Sequence, residues 1–324
     1  RKGFQTYAEA FRLARDGDPR ARDLLIALAR DGSVPAIARG TALVELAGFP
    51  SNAGDAATRD RLKDPDAIVR IAAARGLAAQ PPATLLQSLQ GLIDDPVLGV
   101  RLEVGRALAG VRLDSLSSDQ RVRLERLFGE CESVLRLDED RPEGRANLAT
   151  FLMGRNRIAA AEAELVAGLK LDPRASELSV NLADLYRATN RDELAVQTLQ
   201  DAIARAPDNA AAHHALGLAL VRRKAYAEAL DQLAQAARLA PDDPRFAYVQ
   251  GVALKSLGKP EESRAVLRKA LERHPWDAAL LNALLSDALA SGDVGAAAPL
   301  AGRLASLRPD DRNLERLATQ LAGH

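Results

Sequence analysis

The chain has 324 residues, 44 basic and 44 acidic side chains, and no net charge at neutral pH. One cysteine and four histidines exclude an internal disulfide framework and leave too few ligands for a zinc knuckle. Residues 1–141 hold 21 basic and 21 acidic side chains and residues 142–324 hold 23 of each, so neither half carries the basic excess of a nucleic-acid binder. Arginine outnumbers lysine 37 to 7, which with balanced acids fits a GC-rich coding sequence better than phosphate recognition. No stretch approaches the ~18 uninterrupted apolar residues of a membrane helix, and membrane insertion is not expected. The chain begins at Arg1 with neither methionine nor a basic-then-apolar leader, as a processed protein or a piece of a longer one would.

Residues 1–112 repeat with a 31-residue step. Ala38-Arg39, Val69-Arg70 and Val100-Arg101 stand 31 apart, and Asp64-Pro65 and Asp95-Pro96 keep the same step. Aspartate caps free N–H groups and proline suits the first helical position, so each Asp-Pro starts a helical segment. Leu62–Ala78 and Leu92–Gly110 therefore read as a turn followed by an Ala/Leu/Val helix. Leu28–Gly48 fits less well, because Asp31 and Arg39 are eight residues apart where the later units have six. These units resemble short HEAT repeats, a likeness that implies a ladder between turn aspartates and helix arginines of neighbouring units. Residues 113–141 bridge to the next array through a helix over about Ser118–Leu137, with Leu127, Cys131 and Val134 on its apolar stripe.

From residue 142 the period changes. Pro173, Pro207, Pro241, Pro275 and Pro309 fall 34 residues apart, a spacing that marks stacked helix pairs. Twelve positions before each proline stand Ala161, Ala195, Ala229, Ser263 and Ala297; twenty-five before stand Leu148, Leu182, Leu216, Gln250 and Leu284. Small residues suit the close contact of two antiparallel helices, leucines fill the space between, and proline ends each pair because it lacks the N–H to continue a helix. The segment resembles five consecutive tetratricopeptide (TPR) units. Tyr186 alone keeps the tyrosine expected in the first helix, and Gln250 and Leu285 depart from the leucine and glycine of that pattern. The expectation is an all-α, right-handed α-solenoid: HEAT-like pairs over 1–112, a bridging half-repeat over 113–141, and five TPR units over 142–324 with a capping helix at about 311–321. Leu314, Leu317 and Leu321 face inward on that last helix.

Catalytic and metal constellations are absent from the sequence. His213, His214, His274 and His324 form no ligand pair on one helix face, and His213 falls where a packed core side chain is expected. Cys131 lies on an apolar stripe, where thiols are inert; Trp276 reads as a turn residue packing on the next helix. The chain is expected to be non-catalytic and to hold no cofactor.

A ligand would sit along the first helix of each unit, on the face that recurs every three or four residues. Asn147, Thr150, Asn181, Asp184 and Arg187 make its early part polar. His214, Leu218, Tyr248 and Val252 make the middle apolar with a stackable ring, flanked by the positive Arg245 and Lys255, and Asn282 and Ser286 follow. Asn147 and Asn181, each in an Asn-Leu-Ala string, resemble the asparagine ladder with which superhelical TPRs hold a peptide backbone; an amide both donates and accepts. The Lys/Asn/Arg clamp of chaperone-binding TPRs is not matched. A protein or extended peptide is the expected partner.

Tyr7-Ala8-Glu9-Ala10-Phe11, Arg15-Asp16-Gly17-Asp18-Pro19, Pro35–Leu43, Asn181–Arg187 and His213–Leu220 carry a wider likeness. With them the whole chain resembles the C-terminal repeat region of bacterial multihaem c-type cytochromes, in which such repeats serve as a periplasmic docking arm. That resemblance implies haem in a domain upstream of Arg1; this chain has no Cys-x-x-Cys-His and is assigned none.

Overall fold

The computed structural model describes residues 4–323, so the C-terminal His324 lies outside the described residues. These residues form nineteen α-helices joined by short turns, with no β-strand among them. They divide into two compact units: one runs up to Glu132 and resumes at Asp293, the other is Ser133–Gly292.

The first unit begins with α1 (Phe4–Arg15), α2 (Ala21–Arg30), α3 (Ala36–Leu46) and α4 (Asn52–Asp60). It continues with α5 (Ala67–Gly76), α6 (Pro82–Leu89), α7 (Leu98–Ala107) and most of α8 (Ser118–Leu135). Val69, Val100 and Val104 are fully buried, and Gly105 lets α7 close on α8, since a Cβ there would lie 2.2 Å from the Cys131 sulfur. Burial pushes the Cys131 thiol up to about 11, with the neighbouring Glu130 charge adding to it, so the sulfur is packing material.

An arginine–carboxylate ladder crosses this unit. The Asp95 carboxylate accepts the Val97 N–H at 2.9 Å, holding its own turn, and also accepts Arg70 Nε and Nη2 at 2.8 and 3.0 Å. Arg70 Nη1 in turn donates to the Asp64 carbonyl at 2.8 Å, and Asp64 is paired with Arg39. Arg101 repeats the pattern, donating to the Asp95 carbonyl at 2.6 Å and to both Glu130 oxygens at 2.6 and 2.8 Å. The irregular first rung has a local reason. Asp31 accepts the Ser33 N–H and hydroxyl, and Arg39 Nε, two residues further along than in the later units, donates to the Val34 carbonyl where Arg70 and Arg101 reach the aspartate carbonyl.

The same unit contains α18 (Val294–Leu307) and α19 (Arg312–Ala322). Arg22 Nη2 donates to the Ser306 and Leu307 carbonyls at 2.7 and 3.3 Å, where the C-terminus of α18 has no N–H of its own left to satisfy them. Asp310 accepts the Asn52 N–H at 2.7 Å, at the first residue of α4. A cation thus meets a helix C-terminus and an anion a helix N-terminus, the favourable sense at both ends. On α19 the predicted inward leucines, Leu314, Leu317 and Leu321, are only half-buried.

The second unit holds α9 (Pro142–Gly154), α10 (Ile158–Leu171), α11 (Ser176–Ala188), α12 (Asp192–Arg205) and α13 (Ala210–Arg222). Beyond them come α14 (Tyr226–Leu239), α15 (Pro244–Ser256), α16 (Pro260–Arg273) and α17 (Ala278–Ser291). The odd-numbered helices start 34 residues apart, as do the even-numbered ones, and α9, α11, α13 and α15 each pack on the helix that follows as an antiparallel pair. Ala161, Ala195 and Ala229 are buried where the pairs touch. Ser263 fills the same place by donating its hydroxyl to the Gly251 carbonyl at 2.7 Å. Gly217 and Gly251, also 34 apart, lie opposite Leu233 and Leu267, each of which would be 2.7 Å from an added Cβ. Between the helices of each pair, Asn156, Asn190, Lys224 and Gly258 take φ of 56, 58, 62 and 76°. The following N–H then reaches back to close the turn, as from Arg157 to the Leu152 carbonyl at 2.8 Å.

Candidate peptide-binding face

Every candidate groove residue lies on an odd-numbered helix of the second unit. Asn147 and Thr150 are exposed on α9; Asn181, Asp184 and Arg187 are half-buried on α11; His214 and Leu218 are half-buried on α13. On α15, Tyr248 is half-buried while Arg245, Val252 and Lys255 are exposed; on α17, Asn282 is half-buried and Ser286 exposed.

Five of them meet in one pocket of about 470 Å³ between α15 and α17, with α16 as its floor: Tyr248, Val252, Lys255, Asn282 and Ser286. Ser256, Ser263, Arg264, Leu267, Ala283 and Asp287 complete the lining. Ala283 shares the register of Asn147 and Asn181; the other five were missed because the register followed one face of the first helices, whereas α16 contributes from beneath and Ser256 and Asp287 sit beside that face. A signal existed for Ser263, the one polar residue in the small-residue register.

The polar edge of the pocket is already partly engaged. Asn282 Nδ2 donates to the Ala278 carbonyl at 2.8 Å and Ser256 Oγ to the Val252 carbonyl at 2.9 Å, which leaves oxygen lone pairs to accept from a ligand. Lys255 Nζ stands 3.1 Å and Arg264 Nε 2.7 Å from the Asp287 carboxylate.

Elsewhere on the face the structure differs from the sequence reading in two respects. The ring beside His214 is Phe246, at 4.9 Å between centroids and 48° between planes. Phe246 is a buried residue of α15, off the face that the register followed through Tyr248. The positive flank is paired: Arg245 forks onto Asp243 at 2.6 Å and Lys255 meets Asp287 at 3.1 Å, while in the polar early part Arg187 pairs with Asp184 at 3.3 Å. Burial, and then the Arg245 charge, hold His214 below the usual histidine range, so its imidazole is neutral near pH 7. His213 is a core residue, as the register predicts: Nε2 bonds the Pro207 carbonyl at 3.0 Å and Nδ1 the Gln232 amide at 2.7 Å. Tyr186 is likewise structural, with the Arg191 guanidinium 4.5 Å above its ring and that arginine forked onto Glu162 at 2.8 and 3.0 Å. No group of metal-ligating side chains comes together among the described residues, and no described helix is long and apolar enough to cross a membrane.

Helix pairs of this length, turn geometry and small-residue contact define a helical repeat scaffold. The tetratricopeptide repeat family model matches residues 147–210, 193–244 and 248–312, half of the chain, and the chain belongs to that family. It is 37% identical over 111 residues to the TPR repeat-containing protein PA4667 of Pseudomonas aeruginosa, a match covering 33% of this chain and 18% of that protein. The chain thus spans less than a fifth of the length of this curated relative. Among solved structures it is similar to PilF of Pseudomonas aeruginosa, at 20% identity and a TM-score of 0.49, over 57% of this chain and 84% of that one. TTC0263, a thermophilic TPR protein of Thermus thermophilus, is similar at 21% identity and a TM-score of 0.43, over 56% of this chain and all of that one.

Proposed function

We propose that this chain is a non-catalytic interaction scaffold that binds an extended protein segment along α9, α11, α13, α15 and α17. The observation that carries the reading is the α15–α17 pocket, where a ring, apolar side chains and hydrogen-bond acceptors converge. Asn147 and Asn181 extend the same face toward the start of the unit, where their amides suit an extended main chain. Tyr248→Ala should weaken binding by about 2 kcal/mol, because a buried ring at the centre of an interface excludes water. Asn181→Ala should cost about 1 kcal/mol, and Arg268→Ala on the exposed side of α16 should be neutral. Titration of a captured partner against these variants tests the assignment. If Tyr248→Ala binds like the parent while changes at Arg70 or Arg101 abolish capture, the interaction surface lies in the first unit instead.

The ladder through Arg39, Arg70 and Arg101 supports reading residues 1–112 as HEAT-like repeats. Together with the strings Tyr7–Phe11 and His213–Leu220, it supports a second reading in which this array is the docking arm of a larger periplasmic electron-transfer protein. Cys-x-x-Cys-His motifs encoded ahead of Arg1 count for that reading, and a preceding coding sequence without them counts against it.

A further inference from the structure

Resting on the groove reading above, we infer that the α15–α17 pocket takes an uncharged, bulky apolar side chain of the bound segment, one that carries no charge of either sign into it. Cations and anions lining the face neutralise one another before any ligand arrives. Asp287, its side chain only 15% exposed, is held by Lys255 at 3.1 Å and by Arg264 at 2.7 Å, and Glu261 meets Arg264 Nη2 at 2.6 Å, so two cations face two carboxylates. A ligand carboxylate would have to compete with this carboxylate for both cations. A ligand ammonium or guanidinium would find the one carboxylate of the lining doubly paired and flanked by positive charge. Either exchange desolvates a charge without a new partner, which costs more than the pairing returns.

Apolar matter meets no such obstacle. Leu267 closes the floor, Tyr248, Val252 and Ala283 form the walls, and a volume of about 470 Å³ accommodates one large side chain with its flanking backbone. The Ser256 hydroxyl proton is engaged by the Val252 carbonyl and one Asn282 N–H by the Ala278 carbonyl, which leaves both oxygens to accept backbone N–H groups of the segment and the second Asn282 N–H to donate to a backbone carbonyl. Further along the face, Asp184–Arg187 and Asp243–Arg245 are self-neutralised in the same way. The bound segment is therefore apolar-anchored and uncharged over the residues it lays on α15 and α17, and its affinity depends little on salt.

A random peptide library displayed on phage, panned on the full chain, tests this. The expected consensus has a Phe, Leu, Ile or Trp anchor without charged neighbours. Synthetic peptides of that consensus should bind the parent about tenfold more tightly than Tyr248→Ala, and less than about twofold differently between ~0.05 and ~0.5 M salt. Asp287→Asn supplies the charge-specific control. It frees Lys255, while Arg264 keeps Glu261 at 2.6 Å, so glutamate-anchored peptides should then bind and salt should weaken them steeply. An acidic or basic consensus on the parent, still lost in Tyr248→Ala, overturns the inference and leaves the groove. Peptides that bind the parent and Tyr248→Ala alike overturn the groove reading itself. A library that yields no binder above background, with circular dichroism showing the chain folded, overturns both.

Discussion

Lys224 occupies a backbone position that its repeat mates give to asparagine or glycine. With φ of 62° its Cβ is crowded in a way that Gly258 at 76° is not, and asparagine, as at Asn156 and Asn190, enters this region more readily than lysine. Lys224→Gly should therefore stabilise the chain by about 0.5–1 kcal/mol, and Gly258→Lys should destabilise it by a similar amount. Urea midpoints that shift in these opposite senses with unchanged slope would confirm a local backbone effect. A loss of stability in Lys224→Gly would show instead that its side chain contributes to the turn. The register that exposes this position is as plain in sequence as the prolines are, but Asn, Lys and Gly share a conformation and not a chemistry. No single residue type announces it.

The element scale is set by the ladder of the first unit. Burial works to raise the Asp95 carboxyl, and the bonds from Arg70 and from the Val97 N–H outweigh it, so the group sits below the usual carboxylate range. A carboxyl lowered in the folded state contributes stability that is fully present above its unfolded value and is lost as pH falls through the folded one. Unfolding of the first unit should thus become easier below about pH 4. Arg70→Ala leaves the side chains of Asp95 and its turn buried without their partner, and should cost about 3 kcal/mol near neutral pH. In that variant burial acts with much less opposition, so protonation of Asp95 and the acid loss move to higher pH. Hydrogen exchange across α5 and α7, followed from pH 7 to pH 4, reads both effects. A parent and an Arg70→Ala variant with parallel pH profiles would remove Asp95 from the account. Here the likeness to HEAT repeats was a good guide: it implied a ladder in which helix arginines such as Arg70 meet turn aspartates of neighbouring units, as Arg70 meets Asp95. It did not reveal Glu130 as the last rung, because that partner sits on the bridging helix, outside the repeat.

At the scale of the whole molecule, compactness and repeat register divide the chain differently. The 34-residue step runs on through α18 and α19, yet these helices belong to the compact unit that contains α1–α7. Arg22 at the α18 C-terminus and Asp310 at the α4 N-terminus are the bonds that tie them there. Each is a charge on a helix end, worth about 1 kcal/mol. Replacing both by alanine should speed hydrogen exchange in 293–324 and in the first turn of α4 while 133–292 keeps the parent rates, since repeats couple to their nearest neighbours. Unchanged exchange in α4 and α18 would mean that apolar packing alone holds these segments. Nothing in the spacing of residues anticipates this pair, which lies 258 residues apart at Asn52 and Asp310.

Sequence by itself determined the all-helical class, the helix pairs of the second unit and the two periods. Those features follow from short-range rules: where a helix can start, where only a small residue fits, and which side chains recur on one face. Core assignments such as His213 and Cys131 belong to the same class, because burial along an amphipathic helix is periodic. Tertiary structure alone decided which charges remain available. Lys255 and Arg245 look free in the sequence, and they are paired because Asp287 lies on a neighbouring helix and Asp243 curls back from a cap. It also decided that His214 meets Phe246, that α16 floors the pocket, and that Arg22 and Asp310 join distant helices. These depend on how helices cross and which rotamers their contacts allow, and a period in the sequence constrains neither.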